Sequence, residues 1–365
     1  MKMNISSCAI RDYQLYTAVA KLDKPLSDAT HTLTEISFLV LRLRLENGII
    51  GESYLLSFQY SPNAIRGALK DLLPLVAGFN CYETGHVYDV LDKASEYFGQ
   101  TGTNRWVQGL VNISMWDAWG KTLEQPVHRL MGTTRERVPV YGSGGWLSYT
   151  VDELISEAEQ YVLRGFKSVK IKVGSPDWKT DLERLTKLRA AIGSGVNIMM
   201  DANQGMNVAS ACCLASAAED LGIYWFEEPI HHQHFDGFAT IKNKTGIALA
   251  MGEREFDSMA LRELAGRKAI DIWQPDILRI GGADKWKQSA SMAEGFGLSV
   301  FPHYYKDYDV PLLCTIPNGI GAESFDWIDP LIDHPIHVQD GFAYPKEGPG
   351  WGFHFLEEYL KEINI

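Results

Sequence analysis

Residues 168–201 read SVKIKVGSPDWKTDLERLTKLRAAIGSGVNIMMD, and this stretch sets the frame for the rest of the chain. A short apolar run at 168–173 precedes a helical stripe of Leu182, Leu185, Leu188 and Ile192, which Gly193 closes before a second short run at 197–200. Strand, amphipathic helix and strand in that order make a βα unit with parallel strands. The first strand ends at Lys172 and the second at Asp201.

The unit recurs on either side. Candidate strands lie at 138–141, 168–173, 197–200, 224–226, 248–251, 270–273, 298–301 and 320–322, with helices between most of them. One helix is announced by a capping box, Thr150 with Glu153, ahead of Leu154, Ile155, Ala158 and Val162. Eight strands in this pattern point to a barrel. Nearly every strand ends in a residue able to do chemistry: Lys172, Asp201, Glu227, Glu253, Asp276, His303 and Glu323, separated by 29, 26, 26, 23, 27 and 20 positions. Parallel barrel strands present their C-terminal ends on one face, so these seven residues, spread over 151 positions, converge on one pocket.

Upstream, residues 1–125 read as an α+β domain. A strand at 36–45, an Asn47-Gly48 turn and a strand at 49–54 form a hairpin, and helical spacing follows at 64–76 and 107–123. The barrel occupies 126–328. Beyond it, Asp340-Gly341 marks a turn and glycine and proline replace any further βα unit, so 329–365 is expected to return to the first domain.

Composition narrows the function. A formal charge of -12, from 34 Lys+Arg against 46 Asp+Glu, excludes a phosphate-backbone binder, so nucleic acid is no partner. Arg11 and Asp12 interrupt the N-terminal stretch before it builds an apolar segment, and no membrane span is expected. Five cysteines, with Cys212 and Cys213 adjacent and no C-x-x-C pair, suggest neither a disulfide framework nor a zinc site and point to a reducing cytoplasm.

Asp201, Glu227 and Glu253 end consecutive strands and offer only oxygen, the donor set of a hard cation such as Mg²⁺. Of Glu227 and Glu228, only one faces inward if strand alternation holds, and Glu227 is the choice. Lys170 and Lys172 share one side of their strand, where a neighbouring ammonium and a metal lower a lysine pKa towards that of a base. Asp276 is placed to orient His303. Glu323 is expected either to donate a hydrogen bond as a neutral acid or to pair with Lys170 or Lys172. Such a pocket serves a carboxylate substrate, with the metal and Lys170 stabilising the enediolate left when a proton departs from C2.

The ordered motifs KIKVG (170–174), MDANQ (200–204), WFEEP (225–229), MGE (251–253), QPD (274–276), IGG (280–282) and PH (302–303) resemble those of the enolase superfamily, mandelate racemase branch. The resemblance implies an N-terminal α+β capping domain on a modified (β/α)7β barrel, with one Mg²⁺ on Asp201, Glu227 and Glu253. It also makes Lys172 one base and the His303–Asp276 pair the other acid/base, and has Lys170 and Glu323 polarise the substrate carboxylate. The muconate cycloisomerase branch carries a lysine where this chain has Asp276.

Within the branch, PLSDA (25–29), GSGG (142–145) and 171–189 look most similar to acid-sugar dehydratases of the L-talarate/galactarate type. These imply a hydro-lyase that gives a 2-keto-3-deoxy acid from an aldonate or aldarate, with a 2-hydroxy acid racemase or epimerase as the rival. The resemblance also implies lid loops at 16–31 and 54–62, a homo-oligomer, and Asn203, Arg254, Lys21 and Lys24 as substrate-binding residues, the last three for a distal carboxylate.

Overall fold

The computed structural model describes residues 8–57, 59, 60 and 62–363. Of the expected lid at 54–62, Phe58 and Ser61 lie outside the described residues.

Strand Ile36–Leu45 buries Leu41, Leu43 and Leu45 and leaves the alternate Arg42 and Arg44 only partly covered. It pairs antiparallel with Ile10–Ala20 on one side and Ile50–Leu56 on the other, the latter across the turn at Gly48. Helices Pro62–Leu72, Thr84–Ala94 and Thr103–Thr122 follow. The third packs so tightly on the sheet that a Cβ at Gly51 would lie 2.1 Å from the Ser114 carbonyl oxygen. The helix at 84–94 is absent from the sequence expectation.

All eight expected barrel strands form: Val138–Gly144, Ser168–Lys172, Asn197–Asp201, Ile223–Glu227, Ala248–Met251, Ile272–Trp273, Ser299–Val300 and Ala322–Ser324. The first seven run in parallel in sequence order, and the eighth pairs in parallel with the first. A Val300–Gly319 bridge closes the ring between the seventh and eighth. The last strand therefore starts two residues later than expected: Asn318 and Ile320, on either side of Gly319, bond to Val300 of the seventh strand, and the chain then crosses to the first. Seven helices alternate with the eight strands, giving (β/α)7β.

Inward-facing Tyr141, Met199, Trp225, Ala250, Ile272 and Phe301 plug the barrel below its C-terminal mouth. Tyr141, Trp225 and Phe301 pack edge to face at 4.7–5.4 Å. This apolar floor keeps water from reaching the charged strand ends from below.

The tail makes two attachments. Phe342–Tyr344 pairs antiparallel with the first barrel strand, and Lys361–Ile363 adds an edge to the N-terminal sheet. Buried Asp117 ties the parts together by accepting hydrogen bonds from the backbone of Glu52 (2.8 Å) and Trp351 (2.9 Å). No helix among the described residues is long and apolar enough to cross a membrane, and all five cysteines are free thiols.

Candidate active site

Register fixes the centre of the site. Lys172, Asp201 and Glu227 are direct cross-strand partners on three adjacent strands, so their side chains stand at one level. Lys170, two residues below Lys172, points the same way. Gly252, at φ +145°, turns the chain after the fifth strand; a Cβ there would press to 2.9 Å from the Gln274 nitrogen, so only glycine lets Glu253 enter next to Gln274. Asn203, Glu228 and Tyr304 also hold positive φ just past their strands, and this strain is concentrated on the active face.

The charged groups are interlocked. Lys172 Nζ lies 2.6 Å from Asp201 Oδ2, while Lys170 Nζ lies 2.7 Å from both Glu227 and Glu323 and 3.8 Å from Asp201. Glu227 also accepts from Trp225 Nε1 and Gln274 Nε2, at 3.1 and 2.9 Å. Glu253 sits 3.4 Å from Arg254, 3.5 Å from Arg279 and 3.5 Å from His303 Nε2. His303 Nδ1 is 2.9 Å from Asp276 Oδ2, and the other Asp276 oxygen accepts from the backbone of Leu278 and Arg279. Ser143 and the Tyr304 backbone bond the two oxygens of Glu323.

Protonation follows from this lattice. Burial, with repulsion from Asp201, Glu323 and Glu253, pushes Glu227 up to about 7 in spite of Lys170. Burial also opposes ionisation of Glu253, but His303, Arg254 and Arg279 outweigh it and hold the carboxyl below the ordinary range. His303 is raised: burial works against the charged ring, and Glu253 and Asp276 favour it more.

Four expectations need correction. Glu323 is not a neutral acid: against the effect of burial, Lys170 and His303 draw it down to about 2, so the ion pair with Lys170 is the form present. Without a dication beside it, Lys172 is raised rather than lowered, because Asp201, Asp28 and Glu227 together outweigh burial and Lys170; a cation held by Asp201 would offset the largest of these pulls. Glu228 is buried at the mouth as well as Glu227. The strand ends at Glu227, so alternation no longer governs the next residue, and Glu228 turns to accept from Arg254 Nε at 3.0 Å. Finally, Lys21 and Lys24 do not line the cavity: Lys21 is exposed, and Lys24 pairs with Glu153 outside it while resting over the Tyr149 ring.

The cavity measures about 520 Å³, within the usual range for small-molecule sites. Lys172, Asn203, Glu253, Arg254, Asp276 and His303 line it; Lys170, Asp201, Glu227 and Glu323 are buried around them. The lids contribute Asp28 and His31 from the 26–33 hairpin, and Leu55, Leu56, Ser57 and Tyr60. Sequence reasoning missed an aromatic wall of Trp146, Tyr304, Phe325 and Trp327, and a second His–carboxylate pair, His232–Glu255 at 2.6 Å. The signal was one step away, since each of these follows a barrel strand by a few residues.

Among the described residues no three metal-type donors converge closely enough to hold a cation as they stand; each carboxylate is drawn to a lysine or arginine instead. The donor chemistry nevertheless fits a dication. Six buried carboxylates, Asp201, Glu227, Glu228, Glu253, Asp276 and Glu323, crowd the strand ends, and burial with mutual repulsion raises Glu227 and Glu228 above the ordinary carboxylate range, as expected of oxygen donors short of positive charge. Buried Asn203 Oδ1 and Glu228 Oε1 also lack any hydrogen-bond partner.

Comparison with known proteins agrees with this geometry. Residues 153–359 match the family model described as enolase C-terminal domain-like, and residues 12–132 match the mandelate racemase/muconate lactonizing enzyme N-terminal domain. The chain is 26% identical over 352 residues to the L-talarate/galactarate dehydratase of Salmonella typhimurium, covering 94% of this chain and 88% of that one. A solved structure of that dehydratase with Mg and L-lyxarohydroxamate superposes with a TM-score of 0.92 at 25% identity, covering 98% of this chain and 95% of that one. A racemase from Streptomyces coelicolor with bound magnesium gives the same TM-score and identity, covering 96% and 100%.

Proposed function

The chain belongs to the mandelate racemase/muconate lactonizing enzyme family of the enolase superfamily, and from that premise we propose that it is a Mg²⁺-dependent hydro-lyase acting on a sugar acid. The observation that carries this reading is the pair of proton-transfer groups in one cavity. Lys172 comes from the second strand and His303 follows the seventh, and they flank the Asp201–Glu227–Glu253 carboxylates. In this reading residues 1–125 close the mouth, 126–328 carry the chemistry and 329–365 tie the two together.

Asp201, Glu227 and Glu253 would hold the Mg²⁺, which when bound neutralises charge collecting on the substrate carboxylate and offsets the repulsion among the crowded carboxylates at the strand ends. Lys170, held by Glu227 and Glu323, supplies a fixed ammonium at the same end. One flanking group takes the C2 proton. Either Lys172 does so and His303 protonates the departing C3 hydroxyl, or His303 performs both steps from Nε2. Water leaves, and the enol takes a proton at C3 to become the 2-keto-3-deoxy acid. Asp276 fixes the ring orientation and favours the imidazolium that exists between the two transfers.

A second reading, racemisation or epimerisation of a 2-hydroxy acid, uses the same two groups on opposite sides of C2 and is supported by the fit to the Streptomyces racemase. The discriminating experiment incubates the Mg²⁺-loaded protein with aldonic and aldaric acids in D₂O under proton NMR. Loss of substrate to a 2-keto-3-deoxy acid supports the dehydratase, whereas deuterium at C2 without water loss selects the racemase or epimerase. We further place the protein in the cytoplasm as a homo-oligomer, in keeping with its free thiols; light scattering on the purified protein gives the assembly.

A further inference from the structure

We propose that the substrate is a monocarboxylic acid whose distal part is uncharged and presents an apolar face, and that Trp146, Phe325 and Trp327 select it. The proposal rests on reading the cavity as an acid-substrate site, and narrows that reading from aldonate or aldarate to aldonate-like.

The ring order of the barrel sorts the cavity wall. Loops after the seventh, eighth and first strands are neighbours, and they bring Tyr304, then Phe325 and Trp327, then Trp146 to one side. Phe325 and Trp327 stack at 4.5 Å and 19°, and Trp146 stacks on Trp327 at 5.9 Å and 28°. Tyr304 lies 5.7 Å from Phe325 and 5.9 Å from Trp327. Phe325 and Trp327 are half-buried, so the stack both packs against its neighbours and borders the cavity. Such rings suit the C–H face of a sugar chain or an aliphatic tail.

The positive groups lining the cavity are already matched. Lys172 has Asp201 at 2.6 Å, Arg254 has Glu228 at 3.0 Å, and Arg279 has Asp276 at 3.7 Å and donates to the Glu253 backbone carbonyl at 2.9 Å, neither of which is a proposed metal donor. His303 has Asp276 at 2.9 Å, His232 has Glu255 at 2.6 Å, and His31 has Asp28 at 3.4 Å. Lys172 and His303 belong to the reacting end, and Glu228, which holds Arg254, is outside the proposed metal set. A second carboxylate would therefore lose its water beside aromatic rings with no counter-charge to receive it, a costly transfer. An uncharged hydroxymethyl or alkyl end meets no such cost.

The test uses matched acids that differ in the distal carboxylate: gluconate against glucarate, galactonate against galactarate, and 2-hydroxyhexanoate against 2-hydroxyadipate. Each is titrated calorimetrically into the Mg²⁺-loaded protein and followed for C2 deuterium exchange. We expect a monoacid to exchange and to bind about tenfold or more tighter than its diacid partner. Trp327→Ala should weaken that monoacid by about tenfold, Trp327→Phe should restore most of the affinity, and neither should alter diacid binding. Tighter or equal binding of the diacids, or indifference to Trp327→Ala in a variant whose thermal unfolding matches wild type, overturns the inference. If Trp327→Ala does not fold, Trp327→Phe combined with Phe325→Leu carries the same test. Diacids that exchange while monoacids do not sink the inference and leave the acid-substrate reading standing. Silence from every acid in both measurements sinks both.

Discussion

The two sides of the cavity hold their residues by different means. On the reacting side, Lys170, Lys172, Asp201, Glu227 and Glu323 stand on strands, Glu253, Asp276 and His303 follow theirs by two or three residues, and each has at least one partner of opposite charge within 3.5 Å. On the other side, Trp146, Phe325 and Trp327 sit in loops and hold one another by ring stacking, and the 26–33 hairpin with Leu55, Leu56, Ser57 and Tyr60 lines the same cavity. The contrast separates two tasks. Proton transfer needs groups fixed within a fraction of an ångström, which strands provide, while recognition of the rest of the substrate is carried by loops that can differ without disturbing the chemistry.

Four perturbations bear on this contrast. The largest effect is expected from the reacting side: Lys172→Ala and His303→Asn should each lower kcat by about 10³-fold or more, with thermal unfolding close to wild type. A variant that keeps near wild-type turnover removes its residue from the mechanism. Next, Glu227→Gln should weaken Mg²⁺ binding by about 100-fold in a calorimetric titration, because it removes one of the three carboxylate donors proposed for the metal. Unchanged affinity would move the metal elsewhere.

Gly252→Ala tests whether backbone shape alone places Glu253. The added Cβ meets the Gln274 nitrogen at 2.9 Å at a φ of +145°, so a loss of about 1–3 kcal/mol in stability is expected, with weaker Mg²⁺ binding. A fully stable variant with wild-type affinity would show that the turn is not needed. The smallest effect concerns the lids. Tyr305 and Tyr308 hydroxyls accept hydrogen bonds from the Leu56 and Tyr54 backbone, at 3.0 and 2.9 Å, and so fix the edge strand that leads into the lid. Tyr305→Phe should raise KM several-fold with little change in kcat, in keeping with the loss of about 1 kcal/mol for one hydrogen bond. An equal fall in kcat would instead place Tyr305 among the reacting groups.

Sequence legibility divides along the same line. Lys172, Asp201, Glu227, Glu253, Asp276, His303 and Glu323 could be found because strand period and βα spacing are local signals, and a strand end reports its position without knowledge of its neighbours. Alternation stopped being informative one residue past the strand, at Glu228, whose partner Arg254 lies 26 positions away. Lys24 was similarly opaque: its partner Glu153 is 129 positions distant and lies outside the cavity. Trp146, Phe325 and Trp327 carry no periodic signal, and an aromatic residue in a loop reads as core until ring order brings its neighbours together. The YYKDYD run at 304–309 becomes intelligible only in three dimensions. Tyr305 and Tyr308 secure the capping sheet, Lys306 pairs with Asp326 and Asp329, and Asp307 receives Lys346 from the tail.

The most direct test of a reacting side completed by a dication is C2 hydrogen exchange of an accepted acid in D₂O, followed by proton NMR with the protein Mg²⁺-loaded, chelated and reloaded. Exchange should proceed in the loaded protein, stop on chelation and return with Mg²⁺; exchange that continues undiminished in the chelated protein would contradict the assignment of Asp201, Glu227 and Glu253 as the residues that make the proton removable.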